Sequence, residues 1–327
     1  MSITYQPTSS PTFTLPDLNR WWGCLSLSWR EARPVVQLMF QLRFLTAAAL
    51  AAGGLAVATD ADVTAGALAR VLLAALAWLC VTWNIYLLNG INDLPEDRRN
   101  GSARPLAAGR LPLTAARRIA GGLAVAGVAL AAAHSWPMVV VVAAMLGVGW
   151  LYSSGPRPQK ANMAGFVAVV TAGGVLTYLA GALSVGLPAA PAGIWLPLVV
   201  LGLAMSFWMS LAGTTKDLSD VAGDRAAGRR TLPILLGDHA ARQLMGVLAI
   251  GVGVTLLAAS LAFAPVLLPA GVALTAGGGV VAALLIAPVA GTTRAALRRP
   301  YRAFMVSQYA VTGSYSPSAS RNGRRTQ

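Results

Sequence analysis

The chain has 327 residues, of which 56% are hydrophobic and only 11% are charged, and its mean hydropathy is +0.63. This composition excludes an ordinary soluble globular domain. The formal net charge of +14 is of a size that nucleic-acid-binding proteins carry. The distribution of the basic residues along the chain therefore decides whether nucleic acid is a partner.

Eight apolar segments are long enough to cross a bilayer, for which a helix needs about 20 residues. A ninth candidate, 301–313, is short for a crossing, and an interfacial helix is the alternative there. Gly and Ala are frequent within the segments and let helices approach closely in lipid. We predict an all-α fold, a polytopic membrane bundle of eight to nine transmembrane helices around a central cavity. The predicted spans are 35–58, 66–91, 113–134, 137–154, 162–185, 193–214, 241–263 and 267–292.

The basic residues precede the first predicted span and then fill every second connection between spans. The intervening connections have almost none: 59–65 carries Asp60 and Asp62, 186–192 is uncharged, and Arg70 is the exception. This alternation follows the positive-inside rule and predicts a cytoplasmic N-terminus and cytoplasmic basic loops. We expect an integral membrane protein, and its Ala, Gly and Arg content suggests a bacterial cell membrane. Topology explains most of the charge, so we predict no nucleic-acid partner.

Composition divides the chain into three parts. Segment 1–34 lacks the basic-then-apolar layout of a signal peptide, so we expect it to be uncleaved and cytoplasmic. Residues 35–313 form the predicted transmembrane domain. The Ser-, Arg- and Gly-rich tail 314–327 is predicted to be disordered. Cys24 and Cys80 lie far apart in the sequence, which argues against a disulfide or a cysteine metal site.

Two clusters of acidic residues follow the second and the sixth predicted spans. Carboxylates are costly in so apolar a chain, which favours a functional role. Solvated loop residues are the alternative for either cluster alone. A proton or ion relay usually has its carboxylates nearer the middle of the membrane, whereas these lie at the ends of spans. The first cluster contains Asp93, Glu96 and Asp97 close to Asn89, and the second contains Asp217, Asp220 and Asp224.

The spacing within each cluster predicts one helical face. Asn89, Asp93 and Asp97 are four residues apart, although Pro95 should kink or end their helix near Asp93. The second cluster has i, i+3, i+7 spacing. Carboxylate and amide oxygens suit Mg²⁺, which takes one or two carboxylates together with substrate phosphates. We expect the two clusters to face each other across one diphosphate, with Asp93, Asp97, Asp217, Asp220 and Asp224 as the Mg²⁺ ligands.

Basic residues near both clusters complete the predicted site. Arg104, Lys160 and Lys216 come from three predicted cytoplasmic loops and have the chemistry to converge on phosphate oxygens. The positive-inside rule is the alternative explanation for any one of them. Lys216 is the most site-like because it adjoins Asp217 at the end of a span. The predicted diphosphate ligands are Asn89, Arg104, Lys160, Lys216 and Arg225.

These motifs, in this order, resemble the UbiA superfamily of intramembrane prenyltransferases over roughly 35–292. Two departures stand out: Gly90 occupies a position where most members have Asp, and Leu94-Pro95 stands where an aromatic residue is usual. The stretch 216–225 is most similar to the homogentisate and chlorophyll prenyltransferase branch. The matching residues are Asn89, Asp93 and Asp97 for Asn-x3-Asp-x3-Asp, Arg104-Pro105-Leu106 and Gly109 for Arg-Pro-x-x-x-Gly, Tyr152-Ser153 with Lys160 for the loop after the fourth helix, and Asp217 and Asp224 for the second acidic motif.

The resemblance implies Mg²⁺-dependent transfer of a prenyl group from a prenyl diphosphate to a small, aromatic acceptor within the membrane. It implies catalytic roles for Asp93, Asp97, Asp217 and Asp224 in a prenyltransferase domain at 35–313. The sequence defines neither the acceptor, nor the prenyl chain length, nor the oligomeric state. Residues suited to shaping an acceptor pocket are Asn84, Tyr86, Trp150, Asn162, Tyr178 and Trp208.

Two other functions stay open at this point. A membrane terpene cyclase of the same superfamily would use the same site but act on the prenyl diphosphate alone. An ion-coupled transporter is the less favoured hypothesis, because such a protein would have its carboxylates near the bilayer midplane and inverted repeats with broken helices. Formation of a product from the diphosphate alone would separate the cyclase from the transferase.

Overall fold

The computed structural model describes residues 16–59, 65–99, 101–155, 157–186, 192–287 and 293–313. Within this part of the chain every regular element is a helix, which confirms the predicted all-α class. The loop with Asp60 and Asp62 and the tail 314–327 lie outside the described residues. Among the described residues, eight helices are long and apolar enough to cross a membrane: Pro34–Gly53, Ala65–Asn92, Leu113–His134, Trp136–Ser153, Met163–Leu183, Trp195–Ser219, Asp238–Phe263 and Pro265–Ile286.

The elements follow one another along the chain as long helices joined by short helical turns. Three 3₁₀ segments, Gln159–Ala161, Ala212–Ser219 and Pro265–Leu267, interrupt the α-helical order. The α-helices are α1 Pro16–Glu31, α2 Pro34–Thr59, α3 Ala65–Asn92, α4 Leu94–Arg99, α5 Leu113–His134, α6 Trp136–Ser153, α7 Met163–Leu183, α8 Ala192–Leu211, α9 Val221–Ala226, α10 Leu232–Leu236, α11 Asp238–Phe263, α12 Leu268–Ile286, α13 Arg294–Leu297 and α14 Arg299–Gly313.

Helix α1 lies in the N-terminal segment and packs against α3 and α5. Its apolar side, with Leu25 and Leu27, contacts the small core cluster formed by those helices. Nearer its start, α1 exposes Trp21 and Trp22, residues of a type that favours the interface between membrane and water. The last residue of α1, Glu31, is fully buried. This packing brings a carboxylate from outside the predicted spans to the end of α3.

The close contact between α11 and α12 depends on glycine. A Cβ on Gly253 would lie 2.7 Å from the Cα of Thr275, and a Cβ on Gly278 would lie 2.6 Å from the carbonyl oxygen of Ala249. Either methyl group would force the two backbones apart. The high Gly content therefore has the packing role that the sequence predicted.

Helix α14 covers the stretch 301–313 that the sequence leaves between a crossing and an interfacial helix. Its 15 residues extend for about 22 Å, which is less than the hydrocarbon core of a bilayer, and it is not one of the eight candidate spans. It packs against α2, α12 and the 3₁₀ segment Ala212–Ser219, and it buries Phe304, Gln308 and Val311. In this way α14 closes one side of the bundle.

A central cavity lies between these helices. Its wall is formed by parts of α2, α3, α6, α7, the end of α8 with the following 3₁₀ segment, and α14. The cavity has a volume of about 170 Å³. The predicted bundle around a central cavity is therefore present, and the acidic clusters lie at the helix ends beside it.

Candidate active site

The first acidic cluster forms where α3 passes into α4. The regular helix ends at Asn92, Asp93 is a turn residue, and Pro95 occupies the first turn of α4, where a missing N–H is tolerated. The predicted helix end near Asp93 is therefore confirmed. Helical hydrogen bonds nevertheless continue across the turn, because the Asp93 N–H donates to the Asn89 carbonyl and the Asp97 N–H to the Asp93 carbonyl, each at 2.8 Å. The side chains of Asn89, Asp93 and Asp97 therefore stay on one side of the helical turn. Asn89 Nδ2 donates to Asp93 Oδ2 at 3.0 Å.

Lys160 reaches the first cluster from the opposite side of the site. It lies in the 3₁₀ segment after α6, and its Nζ forms an ion pair with Asp93 Oδ1. The exposed fractions of these two side chains are only 8% and 13%. A charge pair so far removed from water keeps a strong mutual attraction. The loop after α6 therefore places the Lys160 ammonium beside the first acidic cluster.

Arg229 links the two acidic clusters directly. Its Nη2 lies 3.4 Å from Asp93 Oδ1 and pairs with Glu96, while its Nη1 lies 3.4 Å from Asp224 Oδ1. The pKa of Arg229 is raised: burial alone would lower it, and the carboxylates of Asp93, Glu96 and Asp224 more than offset that burial. The clusters thus face each other across one guanidinium, although about 120 residues separate them in sequence.

The second cluster is built differently from the prediction. After α8 the chain continues as the 3₁₀ segment Ala212–Ser219, breaks at Asp220 and restarts as α9. A 3₁₀ helix has three residues per turn, and the break changes the chain direction, so the i, i+3, i+7 spacing does not describe one α-helical face. The prediction of a single face for this cluster is wrong. Asp217 and Asp224 are buried beside the site, and Asp220 turns elsewhere.

Asp220 is held by the start of the C-terminal helical region. Its Oδ1 lies 2.8 Å from Arg294 Nη2, and its Oδ2 lies 3.2 Å from Arg298 Nη2. The pKa of Asp220 is lowered, because these two guanidinium groups outweigh the opposing effect of burial. At Asp224 the effect of burial is the larger one, and it raises the pKa of the carboxyl although Arg229 acts to lower it. Asp224 therefore lies in the less solvated environment, whereas Asp220 acts as an anchor for α13 and the turn after it.

A polar recess adjoins the second cluster, and several basic side chains line it. It shares Tyr152, Phe166 and Lys216 with the central cavity, so the two spaces are contiguous. The Lys216 ammonium lies 5.1 Å from the centre of the Phe166 ring, within the range of a cation–π contact. The remaining residues that line the recess are Lys160, Asn162, Met163, Asp217, Arg229, Arg230 and Thr231.

The central cavity is mainly apolar and has polar groups at two levels. Asn89 and Lys216 line it at the end nearest the acidic clusters, whereas Arg43 and Gln308 line it from the middle of α2 and α14. The buried Oδ1 of Asn89 has no hydrogen-bond partner in the described part of the chain. Aromatic side chains form much of the rest of the wall, namely Phe40, Tyr86, Tyr152, Phe166, Tyr301 and Phe304.

The predicted site residues separate into two groups in the structure. Asn89 and Lys216 line the central cavity, and Lys160 and Asp217 line the polar recess. Asp93 and Asp224 contact Arg229, which also lines the recess. Arg104 lies at neither space, because its guanidinium is held 2.7 Å from Glu31 Oε1 and 2.7 Å from Asp97 Oδ2. Arg225 is exposed on α9 and lines neither space among the described residues.

The residues suggested for an acceptor pocket are mostly engaged elsewhere. Tyr86 lines the central cavity, and Asn162 lines the polar recess while capping α7. Asn84 is buried and donates to the Ala120 carbonyl at 2.7 Å, so it joins α3 to α5. Trp150 is 54% exposed, and Tyr178 and Trp208 are buried in the protein core. Polarity or aromatic character within a span was too general a signal to identify the cavity wall.

Sequence reasoning missed several residues of the site. Arg229 and Arg230 were indistinguishable from the other loop arginines that the positive-inside rule explains. Glu31 precedes the first predicted span, and nothing in its neighbourhood marks it. Arg43 carried a usable signal, since a charged residue inside an apolar segment is costly. The identity of its neighbours depended on the fold.

The chemistry of the donor set fits a hard divalent cation. Among the described residues no group of three acidic, His or Cys side chains lies close enough to form a protein cage for a metal. Asn89, Asp93, Asp217 and Asp224 instead present oxygen atoms from both sides of the space beside the cavity. Mg²⁺ typically takes one or two carboxylates and completes its shell with water and phosphate oxygens.

Comparisons with known proteins identify similar chains. The model of the UbiA prenyltransferase family matches residues 45–308. The diterpene cyclase eriG of Hericium erinaceus is 30% identical over 201 residues, which cover 60% of this chain and 61% of that protein. A digeranylgeranylglyceryl phosphate synthase of Methanoculleus marisnigri is 32% identical over 168 residues, covering 51% of this chain and 57% of that protein. The matches thus span about three fifths of the length of these two relatives.

Two further similarities concern the predicted branch and the fold. A homogentisate phytyltransferase of Synechocystis is 30% identical over 169 residues, which cover 50% of this chain and 54% of that protein. The structure of a UbiA homologue from Archaeoglobus fulgidus bound to GPP and Mg²⁺ has a TM-score of 0.63 at 20% identity. That similarity covers 88% of this chain and 99% of the other, and it shows a common fold.

Proposed function

This chain belongs to the UbiA prenyltransferase family, and on that basis we propose that it transfers a prenyl group from a prenyl diphosphate to a small, aromatic acceptor inside the membrane, with Mg²⁺ as cofactor. One observation carries the proposal. An apolar cavity joins a recess that holds Lys160, Lys216 and Arg229, and the carboxylates of both acidic clusters lie at this junction. A prenyl diphosphate has the same division into a long apolar part and a polyanionic end.

The polar recess is the proposed diphosphate site. Lys160 and Arg229 contact Asp93 in the free protein, so their charges are already directed into the space between the clusters. Lys216 supplies a third cation at the boundary with the cavity. In the proposed complex these cations donate to phosphate oxygens, with the guanidinium suited to two contacts and each ammonium acting as a point charge. Charge that develops on the departing diphosphate is then stabilised by groups already in position.

The proposed Mg²⁺ ligands come from both clusters. Asn89 and Asp93 contribute from the end of α3, with Asp97 one turn further, and Asp217 and Asp224 contribute from the other side. When bound, Mg²⁺ would neutralise the diphosphate and favour its departure as a leaving group. The family neighbour with bound GPP and Mg²⁺ supports this choice of cofactor. Asp220 is the weakest member of the predicted set, because two arginines already occupy its carboxylate.

The walls of the central cavity suit the reactive prenyl group. Loss of diphosphate leaves an allylic cation, which water would capture. Apolar side chains such as Val36, Met39 and Ile85 exclude water, and ring faces such as Phe166 and Phe304 can stabilise a nearby cation. The acceptor would occupy the same cavity and supply the electron pair for the new bond. The bond between the prenyl carbon and the diphosphate oxygen breaks, and the acceptor loses a proton.

A terpene cyclase is the second candidate, and the similarity to the diterpene cyclase eriG favours it. In that reaction the allylic cation is attacked by a double bond of the same prenyl chain, so no acceptor enters the cavity. The diphosphate site and its residues would be the same. The two functions differ in whether a prenyl diphosphate alone yields a hydrocarbon or alcohol product.

The test is diphosphate release by the purified protein in detergent, with prenyl diphosphates of several chain lengths and with or without aromatic acceptors. We expect release to require Mg²⁺, to be abolished by chelation, and to be lost in Asp93→Ala and Asp217→Ala. Asp238→Ala is the matched control, because Asp238 is an exposed carboxylate that pairs with Arg242 at the start of α11. Full activity of Asp217→Ala would refute the site, and products formed without any acceptor would establish the cyclase instead.

The protein is an integral membrane protein, as its eight apolar helices and its family indicate. We propose that the end with the acidic clusters faces the cytoplasm, because the basic loops adjoin it. The prenyl diphosphate would then enter from the cytoplasmic side with its chain in the bilayer. Modification of a single cysteine introduced at Arg157 by an impermeant reagent would test this orientation. Labelling of intact cells from outside would contradict it.

A further inference from the structure

Glu96 of the first acidic cluster lies beside the proposed diphosphate site but not in it. It belongs to α4 and is not one of the described residues that line the polar recess. Its side chain is 33% exposed, compared with 13% for Asp93, so it lies on the outer side of the cluster. The carboxylate nevertheless pairs with Arg229, which does line the recess. Glu96 therefore reaches the site through the side chain of Arg229.

The backbone around Arg229 is held in place on both sides of the residue. Arg229 lies in the turn after α9, where Gly228 adopts a left-handed conformation with a φ of 69°. The Arg229 N–H donates to the Asp224 carbonyl at 2.9 Å. The next N–H, that of Arg230, donates to the Ala161 carbonyl at 3.0 Å and ties the turn to the 3₁₀ segment after α6. A change in the partners of the guanidinium must therefore come from rotation of the side chain.

Three carboxylates share the Arg229 guanidinium, and Glu96 has the closest contact. Nη2 of Arg229 pairs directly with Glu96, whereas it lies 3.4 Å from Asp93 Oδ1. Nη1 lies 3.4 Å from Asp224 Oδ1. A diphosphate in the recess would need the same N–H groups, because a guanidinium binds phosphate through two parallel hydrogen bonds. Glu96 and a bound diphosphate are therefore competing partners for Arg229.

We propose that Glu96 is a positioning residue that competes with diphosphate for Arg229 and thereby controls the release of the diphosphate product. The inference rests on the proposed function, since it requires a diphosphate in the recess. A bound prenyl diphosphate would draw Nη2 of Arg229 from the Glu96 carboxylate onto a phosphate oxygen. After the prenyl group has left, the return of Nη2 to Glu96 removes one contact from the inorganic diphosphate that remains.

The strength of the ion pair between Arg229 and Glu96 suits such an exchange. With exposed fractions of 20% and 33%, both side chains retain contact with water, which screens their attraction. A partly exposed pair of this kind changes an equilibrium constant by a factor of about five. That factor is too small to exclude a substrate with several negative charges, but it weakens the hold on the product. Release of product limits the turnover of many enzymes, so Glu96 would act on kcat as well as on affinity.

The test is the affinity of the purified protein in detergent for inorganic diphosphate with Mg²⁺, measured by titration calorimetry and as inhibition of prenyl diphosphate consumption. We expect Glu96→Gln to lower the dissociation and inhibition constants about fivefold, and to lower KM and kcat for the prenyl diphosphate together. Glu96→Ala removes the same carboxylate and should act alike. Asp238→Asn is the charge-matched control, because Asp238 pairs with Arg242 outside the site, and it should change neither constant.

A double-mutant cycle separates the contact with Arg229 from the general field of the carboxylate. In the Arg229→Met background, Glu96→Gln should no longer change the affinity for inorganic diphosphate. Equal tightening in both backgrounds would overturn the inference, since Glu96 would then act without Arg229. Constants of both Glu96 variants that stay within about twofold of the wild type, or rise, would also overturn it. Failure of the proposed function is a separate result, because the wild type itself would then neither bind inorganic diphosphate nor release it from a prenyl diphosphate.

Discussion

Gly90 on α3 packs directly against the carboxylate of Glu31 at the end of α1. A Cβ on Gly90 would lie 2.5 Å from Glu31 Oε1 and 2.9 Å from Arg104 Nη2. Glu31 Oε1 is itself 2.7 Å from Arg104 Nη2, and Glu31 Oε2 accepts from the Leu106 N–H at 2.9 Å. Arg104 in turn holds Asp97 of the first cluster. The absent side chain at Gly90 therefore leaves the space in which Glu31 positions Arg104 and Asp97.

We predict that Gly90→Ala destabilises the protein and lowers diphosphate release. Alanine in a helix interior is normally favoured over glycine by about 1 kcal/mol. Here the methyl group would displace a fully buried carboxylate, and disruption of a buried ion pair costs about 3 kcal/mol or more. The unfolding midpoint and the release rate should both fall.

Gly122→Ala in α5 is the control for that substitution, because a Cβ there meets no atom within 4 Å. It should leave the midpoint unchanged or slightly raised. Equal effects of Gly90→Ala and Gly122→Ala would show that the contact between Gly90 and Glu31 has no energetic consequence.

A second prediction concerns the carboxylate that Glu31 supplies. Gly90 stands where the family pattern has Asp, and the Glu31 carboxylate, from another helix, lies where a side chain on Gly90 would begin. We expect Glu31→Ala and Gly90→Asp each to lower diphosphate release about tenfold or more, through the loss or the crowding of the ion pair with Arg104. The double variant should recover part of the activity, and a double-mutant cycle measures the coupling. Strictly additive losses would argue against the exchange.

The third prediction ranks the acidic residues of the second cluster. Asp217→Asn should reduce the rate of diphosphate release by about 100-fold or more, on the scale of other preorganised electrostatic contacts. Asp220→Asn should reduce it by less than about tenfold, because Asp220 already pairs with Arg294 and Arg298. Steady-state rates over a Mg²⁺ titration would compare the two. A greater loss in Asp220→Asn would restore Asp220 as a direct metal ligand.

The fourth prediction distinguishes two arginines that are four residues apart. Arg229→Met should raise the KM for the prenyl diphosphate and lower kcat, since Arg229 bridges both clusters at the polar recess. Loss of the guanidinium leaves the buried Asp224 carboxylate without its ion pair, which costs about 3 kcal/mol. Arg225→Met should have rates within about twofold of the wild type, because Arg225 is exposed on α9. Kinetics of both purified variants would decide, and equal defects would contradict the assignment.

Much of the fold followed from local patterns. The length and apolarity of the spans predicted the bundle, and Pro95 predicted the helix end at Asp93. Four-residue spacing also predicted the side chains of the first cluster correctly, because hydrogen bonding continues through that turn. The same spacing argument failed for the second cluster. A 3₁₀ segment and a break at Asp220 replaced the α-helix there, and the residue types alone did not distinguish these conformations.

The amino-acid sequence was sufficient for the membrane class, the two acidic clusters and the resemblance to a family, because periodicity, cost of burial and motif spacing are all local properties. The pairing of charges was decided by the fold. Arg229 pairs with Asp93 and Asp224, and Arg104 pairs with Glu31. Among the described residues no carboxylate forms an ion pair with Arg43, whose partner is Gln308. Apart from Asp224, which is five residues from Arg229, these partners lie tens to hundreds of residues apart, and only the packing of the helices determines which charges share a space shielded from water.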